Sequence, residues 1–355
     1  MKDLRTTNML LLIIVIPLVF YLLKILSFIF IPLISSMFIA LLFLPLMRWL
    51  TKKRMPKYVS IIIIILIVGG VLKIGGELIQ LSSKEILAAD NLFLEKAEVK
   101  LSNLLISVEQ FFGLEFVEGE NMLSQVFKKE YLVDNFSSIF GFISNTISMT
   151  LMTAFFVVLW LAESINFQKM LHSTILKQKY ASVKTFMKIE KDLIKFIKVK
   201  FLVSLFTGIG IGLACYFFGV SFPIFWGLFA FVINFVQMIG SFVSVILLAL
   251  FSFVELEAMS IWFFFTLSIT GVQVIFGSIL EPVFMGKSFS INIITILVML
   301  MLWGYIWGIP GMIMAIPLTV FVKIILEQFP QTRVIANLLS GTQSVLEFPS
   351  SKIKF

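Results

Sequence analysis

The sequence predicts an all-α polytopic membrane protein with about five or six full spans, two broken or re-entrant helical hairpins in its C-terminal third, and a small external amphipathic insert. Composition carries the first part of that prediction: 59% of residues are hydrophobic, 14% are charged, and mean hydropathy is +1.06. Those values exclude an ordinary soluble domain. Forty phenylalanines and long Ile/Leu runs suit lipid-facing helices better than the alternating strands of a barrel. The third observation is the apolar run 291–327, which as one helix would rise roughly 55 Å, nearly twice a bilayer's hydrocarbon core. Gly308, Pro310, Gly311 and Pro317 interrupt it, because proline removes a ladder donor and glycine weakens the ladder. Broken backbone at membrane depth survives only where protein or a polar cavity satisfies it, so this run is the first candidate for a functional site.

Taken in order, residues 1–76 hold three scaffold spans. Segments 9–31 and 32–47 read as two spans joined by a tight turn. The first is too long for a signal-peptide core and lacks a small-residue cleavage site after it, so it reads as retained. The next loop carries Arg48, Lys52, Lys53, Arg54 and Lys57 with no acid, a cytoplasmic mark. Span three, 58–76, runs outward, with Lys73 near its outer end snorkelling. Residues 77–138 form an external insert with eleven acids and five lysines. Within it Leu94, Ala97, Leu101, Leu104, Val108 and Phe111 make a narrow apolar seam, and 122–132 a second amphipathic piece. These helices pack on each other or the membrane surface, or they contact another subunit. Residues 139–162 form span four.

Residues 163–200 carry nine lysines and three acids. Lys184, Lys188, Lys191, Lys195 and Lys198 share one helix face, which reads as an interfacial helix on an anionic inner leaflet; nothing motivates a nucleic-acid partner. The lone His172 has no ligand cluster around it, and the lone Cys215 reads as a small packing residue; no metal or cofactor is expected. In span five, 201–219, Ser204, Gly208, Gly212 and Cys215 suit close helix approach, and the glycine pattern there is no nucleotide fingerprint because no strand precedes it.

Residues 201–327 read as two copies of one unit, each a span followed by a long interrupted segment: 201–219 then 223–253, and 258–280 then 291–327. If each long segment crosses once, Glu255 and Glu257 are cytoplasmic and Lys287 is external. If each folds back, the glutamates are outside and Lys287, Lys323 and Arg333 inside. The second arrangement fits the positive-inside tendency better and makes the units inverted repeats. Both place the N-terminus and the 328–355 tail in the cytoplasm. Polar residues at depth are Asn234 and Gln237 at the first break, with Gly240 beside them. Thr266, Thr270, Gln273 and Gly277 form a stripe leading to Glu281. They read either as interhelical hydrogen bonding or as a polar lining that meets a solute or ion. Glu281 lies near a membrane boundary, where a structural role is an equal reading.

At three stretches the chain resembles the autoinducer-2 exporter family of membrane transporters: 231–241, where Gln237 stands at the position of the family's usual proline; Leu280-Glu281-Pro282-Val283-Phe284-Met285-Gly286-Lys287-Ser288; and Trp303 to Pro317, followed by Lys323 and Glu327. The resemblance implies a multi-pass bacterial inner-membrane carrier, homo-oligomeric and pentameric, exporting a small signalling furanone, with sodium/proton exchange in some members. The leading expectation is a secondary transporter of a small polar solute working by alternating access. Its site would be formed by Asn234, Gln237, Gly240, Gln273, Glu281, Gly308, Pro310 and Gly311, between the two broken segments. A cation/proton antiporter that uses Glu281 is the alternative. An enzyme is not expected, since no paired histidines, nucleophile dyad or intramembrane aspartate pair is present, and an inert scaffold has no need of two broken segments. No ATP-binding loop occurs, so a gradient or a partner would supply energy.

Overall fold

The computed structural model describes residues 2–88, 99–100, 149–163, 183–237, 239–285, 292–328 and 332–339, and every regular element among them is helical. In chain order these are α1 (Lys2–Ile25), α2 (Ser27–Lys52), α3 (Lys57–Ala88), α4 (Met149–Glu163), α5 (Val183–Phe218), α6 (Pro223–Ile233), α7 (Ile239–Glu255), α8 (Met259–Gln273), a π-helical segment (Val274–Leu280), α9 (Glu281–Met285), α10 (Ile293–Gln328) and α11 (Arg333–Leu339). Five helical runs among the described residues are long and apolar enough to cross a membrane: Ser27–Lys52, Lys57–Ser82, Glu190–Phe218, Met259–Met285 and Ile293–Glu327. Their exposed positions are filled by residues such as Ile62, Leu66, Phe217 and Phe263, as a hydrocarbon surround requires.

Several boundaries differ from expectation for identifiable reasons. The first two segments part at Leu26, not at residues 31–32. Leu26 N–H still donates to Leu22 O and Phe30 N–H to Leu26 O, so the junction is a kink in a helical run and not a tight turn. Pro32 is carried inside α2. Helix α3 continues to Ala88, past the expected stop at Gly76. The glycine pair there is followed by good helix formers, and Lys73 pairs with Glu77 one turn on. The lysine-rich segment and span five are one helix, α5, without a break at residue 200. The apolar seam at 94–111, the piece at 122–132 and His172 lie outside the described residues.

The chain divides into two compact units: Met1–Leu66, Met149–Val199 and Phe284–Phe355 form the first, and Ile67–Ser148 with Lys200–Val283 the second. In the first unit α10 is not one straight helix. Gly308 takes φ 63° and ψ −141°, a combination only glycine adopts readily. A Cβ on Gly311 would lie 2.0 Å from the carbonyl oxygen of Trp303, and one on Gly304 would meet Met312 at 3.1 Å. Residues eight apart in a straight helix are separated by about 12 Å, so the chain reverses at Gly308 and arms 293–307 and 309–328 pack antiparallel. Ile316 and Val320 share a core with Leu193, Phe196 and Ile296. Trp307 Nε1 donates to Leu23 O at 2.9 Å and Lys24 lies 3.7 Å above the Tyr305 ring, tying α1 to the first arm.

The second unit holds a hairpin of the same kind. Trp226 and Phe222 of the outgoing arm meet Phe251 of the returning arm at ring separations of 5.1 and 5.9 Å. Near the turn, a Cβ on Gly240 would lie 1.9 Å from Ile233 O. The arms, of 11 and 17 residues, rise only about 16 and 26 Å, each short of a bilayer core of roughly 30 Å. Glu255 staples the open end by accepting from Ser221 N–H at 3.1 and 3.0 Å and from the Ser221 hydroxyl. Lys100 donates to Phe253 O at 2.7 Å and to Leu256 O. Helix α5 packs on α6 at the small residues the sequence singled out: a Cβ on Gly208 would lie 2.7 Å from Gly227 O.

The two glycines at the hairpin turns generate the first prediction. Gly240→Ala and Gly311→Ala each force a backbone–backbone overlap and are expected to lower stability by about 1–3 kcal/mol. Gly271→Ala, which meets nothing within 4 Å, is expected to leave the melting temperature of the detergent-purified protein unchanged or slightly raised. Equal melting temperatures for all three variants would contradict the hairpin geometry.

Candidate functional site at the turn of the first hairpin

Five of the eight residues expected from the sequence, Asn234, Gln237, Gly240, Gln273 and Glu281, belong to the second unit. Four of them enter one buried polar cluster. Helix α5 brings Lys200 and Ser204 to it, because these positions continue the buried register of Leu193 and Phe196 through Val203 to Ile211. The residues that end α6 supply Asn234 and Gln237, α7 supplies Ser241 and Ser244, the end of α8 supplies Gln273, and the first residue after the π-helical segment is Glu281.

The centre of the cluster is an ion pair. Lys200 Nζ lies 3.0 Å from both Glu281 carboxylate oxygens, and both residues are only 4% exposed. Gln237 Nε2 donates to Glu281 Oε1 at 3.0 Å, so three hydrogen bonds converge on one carboxylate. Bringing two charges into a low-dielectric interior costs several kcal/mol per ion, which close geometry and further hydrogen bonds offset. The Gln237 amide does the latter from the hairpin turn.

A second set of bonds runs beside the pair. Asn234 Nδ2 donates to Ser204 Oγ at 3.1 Å, and Ser241 Oγ donates to Asn234 Oδ1 at 3.3 Å. Gln273 Nε2 donates to Ser244 Oγ at 2.9 Å and more weakly to Ser241 O at 3.5 Å. Within this set two buried amide oxygens, Gln237 Oε1 and Gln273 Oε1, have no protein partner among the described residues. Thr270, by contrast, bonds back to Thr266 O in its own helix at 2.7 Å, the plain structural role. Gly240's observed role is steric, since it lets the returning arm pass the Ile233 carbonyl.

Gly308, Pro310 and Gly311 belong to the first unit, where they form the turn of their own hairpin. Pro310 stands at the start of the returning arm, where a missing N–H is harmless. Lys200, Ser241 and Ser244 were missed from the sequence. Lys200 had been counted only among the nine lysines of 163–200, and Lys191, Lys195 and Lys198 are exposed while Lys200 is buried. Its spacing from Leu193 and Phe196 was the available signal. No group of three or more potential metal ligands occurs among the described residues.

Breaking the pair gives the second prediction. Lys200→Met or Glu281→Met alone leaves a buried charge uncompensated and is expected to cost about 3–5 kcal/mol, whereas the double variant loses less than either single one. Thermal unfolding of the four proteins in detergent measures this; additive losses would mean the charges do not depend on each other.

Comparison with known proteins places the chain in a group. A family model described as AI-2E family transporter matches residues 10–331. A Haemophilus influenzae protein named "Putative transport protein" is 24% identical over 323 residues, 90% of this chain and 92% of its own length. The Bacillus subtilis protein YrrI, named in the same way, is 26% identical over 86% of this chain and 88% of its own. The Escherichia coli K12 "AI-2 transport protein TqsA" is 32% identical over 148 residues, 41% of this chain and 42% of its own. With the match spanning nearly the whole chain and several helices fit to cross a bilayer, the chain belongs to the AI-2E family of transporters and is a multi-pass membrane transport protein.

Proposed function

We propose that the chain is a secondary transporter that exports a small polar solute, of the kind autoinducer-2 represents, across the bacterial inner membrane by alternating access. The observation that carries this reading is the buried polar cluster at the turn of a helical hairpin too short to span. Polar side chains in such a place cost free energy unless satisfied, and here acceptors are left over after all internal bonds are made. Uncharged amides and hydroxyls around the turn suit a small polar solute better than a strongly ionic one. The exposed face of Lys191, Lys195 and Lys198 suits the anionic headgroups of the inner leaflet, in keeping with both termini in the cytoplasm. A homo-oligomer, pentameric by resemblance to the family, completes the reading.

Efflux of autoinducer-2 from proteoliposomes under an imposed proton or sodium gradient tests it. The wild-type protein is expected to give gradient-dependent efflux, and Asn234→Leu and Gln237→Leu to slow it at least about tenfold, the loss of one or more buried hydrogen bonds. Efflux equal to that from protein-free liposomes would end this reading.

The Lys200–Glu281 pair favours a second reading, cation/proton antiport. A cation that takes Lys200's place on Glu281 keeps the buried charge balanced only if a proton leaves. Glu281→Gln is then expected to abolish pH-driven sodium uptake in everted vesicles; uptake that survives the substitution discards antiport through this residue.

A further inference from the structure

Along the run Met259–Met285 the buried residues are Phe265, Ile269, Gln273 and Glu281. In a regular helix two residues eight apart stand about 80° apart around the axis, so Gln273 and Glu281 would not face the same way. They do because Val274–Leu280 is π-helical: Glu281 N–H donates to Phe276 O, five residues back, where a regular helix would use Gly277 O. The segment thus holds one surplus residue, which takes up about 100° of turn and returns Glu281 to within about 20° of Gln273. When such a segment relaxes to a regular helix, the residues after it advance by one position. Leu280 then comes to where Glu281 stood, and Glu281 to the exposed place of Pro282. Pro282 keeps that register from winning outright, because it has no N–H to give Ser278 O four residues back.

We propose that Val274–Leu280 is a two-register switch, whose π form presents Glu281 to Lys200 and Gln237 and whose regular form withdraws it. This rests on the transport reading above and supplies the moving part of that site. Lys200 Nζ and Gln237 Nε2 both donate to the one carboxylate, each at 3.0 Å. Withdrawing it leaves two buried donors, one of them charged, which is costly unless another acceptor arrives. That acceptor is a group of the solute, or water admitted with it, in the place the carboxylate has left. Glu281 and the solute therefore compete for the same two donors, and occupancy selects the register. Gln237 ends the outgoing arm of the hairpin, so the exchange also releases the hairpin turn from Glu281.

Three measurements on the full-length protein test this. Deleting Ser278, which is exposed, removes the surplus residue and holds Glu281 on Lys200 within a regular helix. It is expected to keep or raise the melting temperature in detergent and to reduce autoinducer-2 efflux to the level of protein-free liposomes. Ser278→Ala is expected to change neither. Deleting Ser268, in the regular part of the same run, turns the residues beyond it by about 100° and is expected to lower the melting temperature sharply. In Cys215→Ala protein, nitroxides on Val283→Cys and Leu213→Cys, both exposed positions, report the register by their separation. Lys200→Met, which removes the charged partner of Glu281, is expected to shift that separation, and to leave it in place once Ser278 is also deleted. Should Lys200→Met fail to fold, Gln237→Leu removes the other partner and is expected to shift it in the same direction. Deletion of Ser278 that destabilises as much as deletion of Ser268, or that leaves efflux intact, overturns the switch, as does a separation that neither substitution shifts. A separation that shifts in a protein giving no efflux overturns the transport reading alone.

Discussion

A lysine and a glutamate, each 4% exposed, sit where the surrounding helices otherwise present phenylalanine and isoleucine outward. That pair constrains the second unit more than any apolar contact does. Leucine and phenylalanine tolerate many packings, but a buried carboxylate needs its partners at hydrogen-bond distance or it is unstable. Lys200 is fixed on the long helix α5 and Glu281 on the run that follows the π-helical segment. The remaining requirement falls on Gln237, and through it on the place where the hairpin turns. The turn therefore has to sit at the level of the ion pair, which holds α5, the hairpin and the α8–α9 run in one register.

The hairpins themselves depend on steric permission. At both turns a glycine lies where a Cβ would be about 2 Å from a backbone oxygen of the other arm, so the arms meet backbone to backbone. Close approach of this kind is how helices associate in a medium where apolar surface gains nothing by leaving the solvent. The Gly208–Gly227 contact between α5 and α6 repeats the device. Large aromatic residues then fill the space further down the arms, as Trp226, Phe222 and Phe251 do.

What was legible in the sequence followed from period and punctuation. The helical membrane fold, the two interrupted segments and the amides at the first break could all be read, because hydropathy, proline and glycine act locally. Helix ends were less legible. The Gly75–Gly76 pair did not stop α3, since the residues beyond it favour helix, and the kink at Leu26 carries no proline. Lys200 was not singled out because the charge count of 163–200 pools lysines that geometry separates: two residues beyond Lys198 along a helix is the other face. The π-helical segment has no reliable sequence mark, so the setting of Glu281 could not be anticipated. Gly308–Gly311 and the Asn234–Gly240 stretch each close a hairpin, a role that glycine and proline announce without saying what the turn will face.

The first hairpin is held unequally along its length. At its open end Glu255 grips Ser221 through backbone and side chain, Lys100 caps the carbonyls of Phe253 and Leu256, and Trp262 donates to Ala249 O. At its turn, beyond the local backbone bonds of residues 234–240, the bonds to neighbouring helices are made by amide, hydroxyl and charged side chains, and the amide oxygens of Gln237 and Gln273 remain unmatched. Bonds to backbone at a helix terminus satisfy groups that have few alternatives, so the open end keeps one arrangement. Amide and hydroxyl side chains at the turn can exchange one partner for another at little cost, provided the incoming group offers the same donors and acceptors. A carrier needs both properties in one element: a body rigid enough to move as a unit, and a surface whose bonds to its surroundings can be replaced by bonds to a solute. In this hairpin the rigid contacts lie at the open end and the exchangeable ones at the turn, beside the ion pair.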